Sequence, residues 1–226
     1  MNESDDAPGT VTRKPGAIEA RIERRFDAER ARVWAALTDS ALLCQWLAPG
    51  HIALKVGGEA KLSFEDSGIV IDSTVSAVKP GEIIEYSWSG KGEPPRPLRW
   101  EIAAAPDGTH PGTKLTLTLR VPEGEDMARA AAGFEAHLDM LAAALEGVPI
   151  KFPFPRFKAM REAYKANGGG VRTRLSAARG CPVQTSISSN VIKPGRDGIN
   201  RARRRRGTSY CMSCHRDGRS AVTTIL

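Results

Sequence analysis

The sequence predicts an α+β domain, an antiparallel sheet with one long helix laid across it. Three observations carry that expectation. Between His51 and Arg120, short runs rich in β-branched and aromatic residues alternate with turn clusters containing Gly, Pro and Asp. From Met127 to Leu145, apolar residues step by four and three along one helical stripe. Beyond Asn167 both periodicities vanish and the composition changes. A chain of 226 residues with 41% hydrophobic content has enough apolar matter for a core, which excludes wholesale disorder.

Met1 to Gly16 is polar, with Pro8, Gly9, Pro15 and Gly16, and reads as a loose, flexible leader over residues 1–16. Ile18, Ala20, Ile22 and Phe26 then alternate with Glu19, Arg21, Glu23 and Arg25, which predicts a strand with one wet face. Asp27 is placed to cap the next segment, where Val33, Trp34, Leu37 and Ala41 have helical spacing. Thr38-Asp39-Ser40 interrupts that segment, so two short helices are expected, ended by Pro49-Gly50.

From His51 onward the turn clusters Gly57-Gly58, Asp66-Ser67-Gly68, Lys79-Pro80-Gly81, Gly90-Lys91-Gly92 and Pro106-Asp107-Gly108 fall at hairpin spacing. Alternation assigns Ile84, Tyr86 and Trp88 to one face, as it does Leu98, Trp100 and Ile102, and Leu115, Leu117 and Leu119. Consecutive strands of this kind predict an antiparallel meander. The stripe Met127, Ala131, Phe134, Leu138, Leu141 and Leu145 is apolar on one side, so the helix must cover a sheet, and Gly147 stops it. The expected order is strand, two short helices, six strands, long helix. FPRFKAMREAYKAN can add a terminal amphipathic helix after Pro155.

The formal charge of +7 is unevenly distributed. Gly168 to Leu226 holds 12 Lys and Arg against 2 Asp and Glu, a balance of +10, which leaves −3 for the rest. Twelve of the 13 aromatic residues precede Gly168, so the tail has little to build a core from. Gly168-Gly169-Gly170 has linker composition. Residues 167–226 are therefore expected to form a disordered basic tail, and residues 17–166 the domain. The run RARRRR at 201–206 is suited to weak, non-specific contact with nucleic-acid phosphates. A frame-shifted end rather than an evolved segment is the other reading of this tail.

At this point the residues resemble a known family. RRFDAERARVWAALTDSALLCQWLAP is similar to the opening of the START-like (SRPBCC) superfamily, in the branch of activator of heat-shock-protein-90 ATPase homologues. The similarity continues through Gly57-Gly58, VKPGEIIEYSW, TKLTLTLRV and GFEAHLDMLAAALEG, and spans Ile18 to Gly147. The resemblance implies a helix-grip fold, a curved antiparallel sheet of about seven strands wrapped around a long C-terminal helix. It also implies a cavity between them that in relatives takes lipids, hormones, polyketides or other apolar molecules. Some relatives act as cyclases or dehydratases, and the eukaryotic namesake stimulates a chaperone ATPase, which links the branch to stress response. Two departures stand out: Phe134 replaces a Trp found in many relatives, and Leu119 replaces a His. The leader is expected to be too short to supply the additional N-terminal domain of the eukaryotic activator.

The candidate site follows from strand and helix parity. Trp46 on the second short helix, Phe64, Tyr86, Trp88 and Trp100 on strands, and Phe134, Leu138 and Leu141 on the long helix are expected to converge. They either line a cavity or close-pack a solid core, and periodicity does not separate the two. His137, one position before Leu138, is expected at the surface, with the cavity rim as the alternative. Asp72 and Glu101 are not at a spacing that makes either its partner, and Ser63, Ser73 and Ser87 lack a nucleophile-elbow context. No phosphate loop or dinucleotide fingerprint occurs, so no catalytic residue is assigned. Cys211, Cys214 and His215 match a CxxCH pattern, and with Cys181 would make four zinc ligands at unusual spacing, but an accidental match is expected, with no metal and no cofactor.

The start of the chain lacks a secretory layout, and no apolar run approaches the ~18 residues of a membrane span. A cytoplasmic protein with reduced cysteines is expected. Its expected role is to bind a small apolar or amphipathic molecule between sheet and long helix. The alternatives are a chaperone co-regulator acting through protein contacts, and a cyclase- or dehydratase-like enzyme.

Overall fold

The computed structural model describes residues 7–64, 68–105 and 112–169. Arg203 to Arg206, Cys181, Cys211, Cys214 and His215, singled out above, lie outside the described residues. The elements run β1 (Thr10–Lys14), β2 (Ala17–Phe26), α1 (Arg30–Thr38), α2 (Ser40–Leu43), β3 (Gly50–Ile52), β4 (Glu59–Phe64), β5 (Ile69–Lys79), β6 (Ile83–Ser87), β7 (Pro97–Ala104), β8 (Thr113–Pro122), α3 (Met127–Leu145) and α4 (Phe154–Tyr164). The eight strands form one antiparallel sheet in the order β1-β2-β8-β7-β6-β5-β4-β3. The α+β expectation holds, with eight strands where about seven were expected.

The added strand is β1, which lies within the stretch read as a loose leader. It pairs with β2 across a tight Pro15-Gly16 turn, where Gly16 has φ +72°. Its burial is almost wholly exposed, so it has no apolar alternation to betray it. The first helix starts at Arg30, too late for Asp27 to cap it, and Glu29 holds the cap position without a side-chain bond. The break at Asp39 is as expected: its carboxylate accepts from Ala41 N at 2.7 Å and starts α2. Trp46 lies in the turns after α2, not on the helix.

One face of the sheet is apolar and the other is charged. Ile18, Ala20, Ile22 and Phe26 of β2, Leu98, Trp100 and Ile102 of β7, and Leu115, Leu117, Leu119 and Val121 of β8 all point inward and are buried. On the outer face, cross-strand pairs such as Arg120–Glu19 (2.8 Å) and Lys114–Glu23 (2.7 Å) keep the surface solvated. Exposed pairs of this kind contribute only about 0–1 kcal/mol each. The stripe of α3 is buried throughout, from Met127 to Leu145. Asp126 caps this helix by accepting from Arg129 N at 3.0 Å. The opposite side of α3 is covered by α4, through Phe157, Met160 and Tyr164, so α3 is enclosed by protein on both sides.

One inward position of β2 breaks the apolar rule. Arg24 stands on the core face and donates to Glu135 of α3 at 2.5 Å, with Asp139 3.7 Å away. Tyr164 donates to the other Glu135 oxygen at 2.7 Å, and Gly9 N donates to the Tyr164 hydroxyl at 2.7 Å. Buried charges survive only when paired and hydrogen-bonded in this way. The cluster ties both ends of the described chain to the middle of α3.

Candidate ligand cleft

Ile69–Thr74 of β5 pairs with β4, and from Val75 on β5 pairs with β6, with an irregularity between Val75 and Ala77. Beside this division a cleft of about 550 Å³ opens against α3. Its apolar walls come from Ile69 and Ile71 of β5, Trp88 just after β6, Leu119 and Val121 of β8, and Ala130, Gly133 and Phe134 of α3. The size and mostly apolar lining are those of small-molecule sites.

The eight residues expected to converge do not play one role. Trp88 and Phe134 line the cleft. Trp46, Tyr86, Trp100, Leu138 and Leu141 are packed into the core beside it, and Phe64 is partly buried at its margin. Phe134 joins the two groups: its ring is 5.0 Å from Trp88 and 5.9 Å from Trp100, which in turn meets Trp46 at 5.9 Å. These edge-on aromatic contacts lock the ring that forms the cleft floor. The polar tips of Trp46, Tyr86 and Trp100 are satisfied. Trp46 Nε1 donates to Ala36 O at 2.8 Å, and Trp100 bonds the Tyr86 hydroxyl, whose pKa burial nonetheless raises.

Polar groups collect at the ends of the cleft. Arg96 is held by Glu125 through Nε (2.7 Å) and Nη2 (3.0 Å), and by Glu93 through Nη1 (2.8 Å). Its backbone is tied by Ser87 Oγ, which accepts from Arg96 N at 2.8 Å, while Ser73 Oγ donates to Ser87 O at 2.7 Å. Two of the serines considered as nucleophiles thus brace the wall.

His137 is the main correction to the sequence reading. It is 7% exposed and lines the cleft instead of lying on the surface. Its Nδ1 donates to Trp46 O at 3.0 Å, and its ring meets Phe64 and Phe152 edge-on. Burial pushes its pKa down to about 4, opposed only by that backbone bond, so the ring is neutral near pH 7. Stripe position misjudged it because α4 and Phe152 cover a side of α3 that the periodicity marks as polar. Arg129 and Gly133 also line the cleft and were not singled out from sequence; a glycine inside an otherwise apolar helix was the available signal.

Among the described residues, no group of three or more His, Cys, Asp and Glu is placed to hold a metal. No helix among them is long and apolar enough to cross a membrane.

The sequence profile of the family described as "Activator of Hsp90 ATPase homolog 1-like protein" matches residues 27–146, just over half of the chain. The chain belongs to this family. No curated protein matches it in sequence. Solved structures show the same fold for this activator-homologue domain. CalU16 from Micromonospora echinospora is 22% identical, with a TM-score of 0.56, covering 70% of this chain and 94% of that one. A conserved protein of unknown function from Enterococcus faecalis, EF2215, is 19% identical, with a TM-score of 0.57, covering 70% and 91%. DynU16, from the dynemicin biosynthetic locus, is 26% identical, with a TM-score of 0.50, covering 58% of this chain and 48% of its own.

Proposed function

We propose that the protein holds a small apolar or amphipathic molecule in the cleft between α3 and the sheet. The observation that carries this reading is the cleft itself, about 550 Å³ and walled by Trp88, Leu119, Val121 and Phe134. Gly133 supports it, since a Cβ there would meet no atom within 4 Å. The helix thus presents bare backbone to empty space at the centre of the site. Burying a ligand would gain about 25 cal/mol for each Å² of apolar surface removed from water, less the ordering costs. The similarity to DynU16, a protein of a biosynthetic locus, fits a small-molecule role.

The enzyme alternative would use His137, the histidine among the described residues that line the cleft. A base of pKa about 4 is poorly matched to proton abstraction near pH 7. Binding is therefore the better reading of this histidine.

Native mass spectrometry of the purified chain, followed by denaturation to release anything bound, tests the proposal. A stoichiometric small molecule is expected, and it should be lost in Gly133→Leu, which fills the cleft from the helix side. If Gly133→Leu retains the adduct while melting like the parent, the ligand sits elsewhere and the cleft assignment is wrong. A chain that stays empty after incubation with apolar compounds turns the weight to the chaperone co-regulator reading.

A further inference from the structure

The carboxylates among the described residues that line the cleft are already engaged. Both oxygens of Glu125 accept from Arg96, and Glu93 Oε2 accepts from Arg96 and from Gly90 N. Asp126 uses one oxygen to cap α3 and the other to accept from Arg161 at 2.7 Å. Arg129 lines the same cleft and stands in no ion pair among the described residues, so no described carboxylate neutralises its guanidinium there. A guanidinium left without an anion in a partly closed site favours one supplied by a ligand.

The other pole is of opposite character. Because Nδ1 of His137 donates to the Trp46 carbonyl, the neutral ring offers Nε2 only as an acceptor. No hydrogen bond to Nε2 is formed among the described residues. Arg129 and His137 are eight residues apart on one face of α3, which places them about 12 Å apart along the helix axis. Ala130, Gly133 and Phe134 supply the apolar floor between them.

We propose that the cleft selects amphipathic acids, with a carboxylate on Arg129 at one pole and a hydroxyl donating to His137 at the other. This rests on the ligand-binding reading and names the ligand class for it. A carboxylate matches the planar guanidinium fork. It has no proton to give to Nε2, so the two poles also set one orientation: the acid end lies toward the start of α3. A diacid is rejected at the histidine pole, where acceptor would face acceptor.

The test uses three probes with the same chain length, decanoate, 1-decanol and 10-hydroxydecanoate, titrated into the full chain and read by calorimetry and by Trp fluorescence. The parent should bind decanoate about tenfold tighter than 1-decanol, because the carboxylate gains a charge-assisted contact at Arg129 where the alcohol gains only a neutral hydroxyl bond at His137. It should bind 10-hydroxydecanoate tighter again. Arg129→Met should remove the preference for decanoate and leave 1-decanol affinity unchanged, while Arg129→Lys retains part of it. His137→Phe should remove only the preference for the hydroxyl. Equal binding of decanoate and 1-decanol, or a preference that survives Arg129→Met, overturns the proposal and leaves the ligand-binding reading standing. If none of the three probes binds, that reading falls as well. Should Arg129→Met melt early, Arg129→Gln provides the same comparison with a polar, uncharged side chain.

Discussion

Two buried polar residues on α3 set opposite demands on the surroundings. Glu135 is 1% exposed and is the shortest ion-pair partner of the buried Arg24, so its removal leaves that guanidinium with Asp139, 3.7 Å away, in place of a hydrogen-bonded carboxylate. Glu135→Gln is expected to cost about 3–5 kcal/mol in urea unfolding, whereas Arg24→Met with Glu135→Leu should recover much of that. A double variant as unstable as the single one would show that the cluster contributes more than pairing. His137 is buried as a neutral ring, and its folded pKa of about 4 lies below the ordinary value of 6.5. The unfolded chain therefore takes up the proton first as pH falls. The contribution is fully present above pH 6.5 and is lost between pH 6.5 and pH 4, by roughly 3 kcal/mol in all. Carboxylates such as Glu19 and Glu23, held below their ordinary range by Lys14 and Lys114 respectively, add their own losses as pH falls through their lowered pKa values. The parent must accordingly be compared with His137→Phe, whose stability profile should be flatter across that window; parallel profiles would contradict the neutral-ring assignment.

At the scale of elements, α3 is both the most legible segment and the one whose function was least visible. Its stripe from Met127 to Leu145 is buried as the spacing requires. Its second face, carrying Gly133, His137 and Arg129, acquires meaning only from what packs against it. Gly133→Ala adds a helix-favouring methyl to open space, and is expected to stabilise the protein by about 0.5–1 kcal/mol in thermal or urea unfolding. A loss of stability there would mean that the cleft is narrower than described. The strands β2, β7 and β8 were equally legible, because a buried face makes their apolar residues alternate, although Thr116 on the other face of β8 is buried too. By contrast β1 was not, since its side chains are almost wholly exposed and its membership in the sheet rests on backbone bonds to β2. Trp46 was placed on a helix because its spacing continues that of α1 and α2; the turns after Leu43 carry it inward instead, where Ala36 O receives its indole proton.

At the scale of the described molecule, the sheet is held together in its middle by a pairing of residues distant in sequence, β2 with β8, and the ends of the described chain meet on α3. Gly9 shows how tight that meeting is. A Cβ at Gly9 would stand 2.4 Å from Arg21 O and 2.8 Å from the Tyr164 hydroxyl. Gly9→Ala should therefore lower stability by about 1–3 kcal/mol, and relax protection of the amides of both β1 and α4 in hydrogen exchange. An unchanged melting temperature would mean that the leader is tied down less firmly than the Gly9–Tyr164 bond indicates.

What the amino-acid sequence determined by itself was the architecture, because the periods of two and 3.6 residues are imposed by burying one face of each element. It also pointed inward Trp46, Tyr86, Trp88, Trp100 and Phe134, which are buried, but not Phe157 and Tyr164, which are buried as well. Whether those residues fill a core or line a space was decided only by the tertiary structure. Trp100 and Trp46 fill and Trp88 lines, although all three obey the same burial rule, because the space depends on how β5 divides between β4 and β6 beside α3. The states of His137 and Arg129 were decided there too. A histidine becomes a neutral acceptor, and an arginine a cation without an ion pair among the described residues, through the groups that neighbouring elements bring to them, and local spacing does not encode those neighbours.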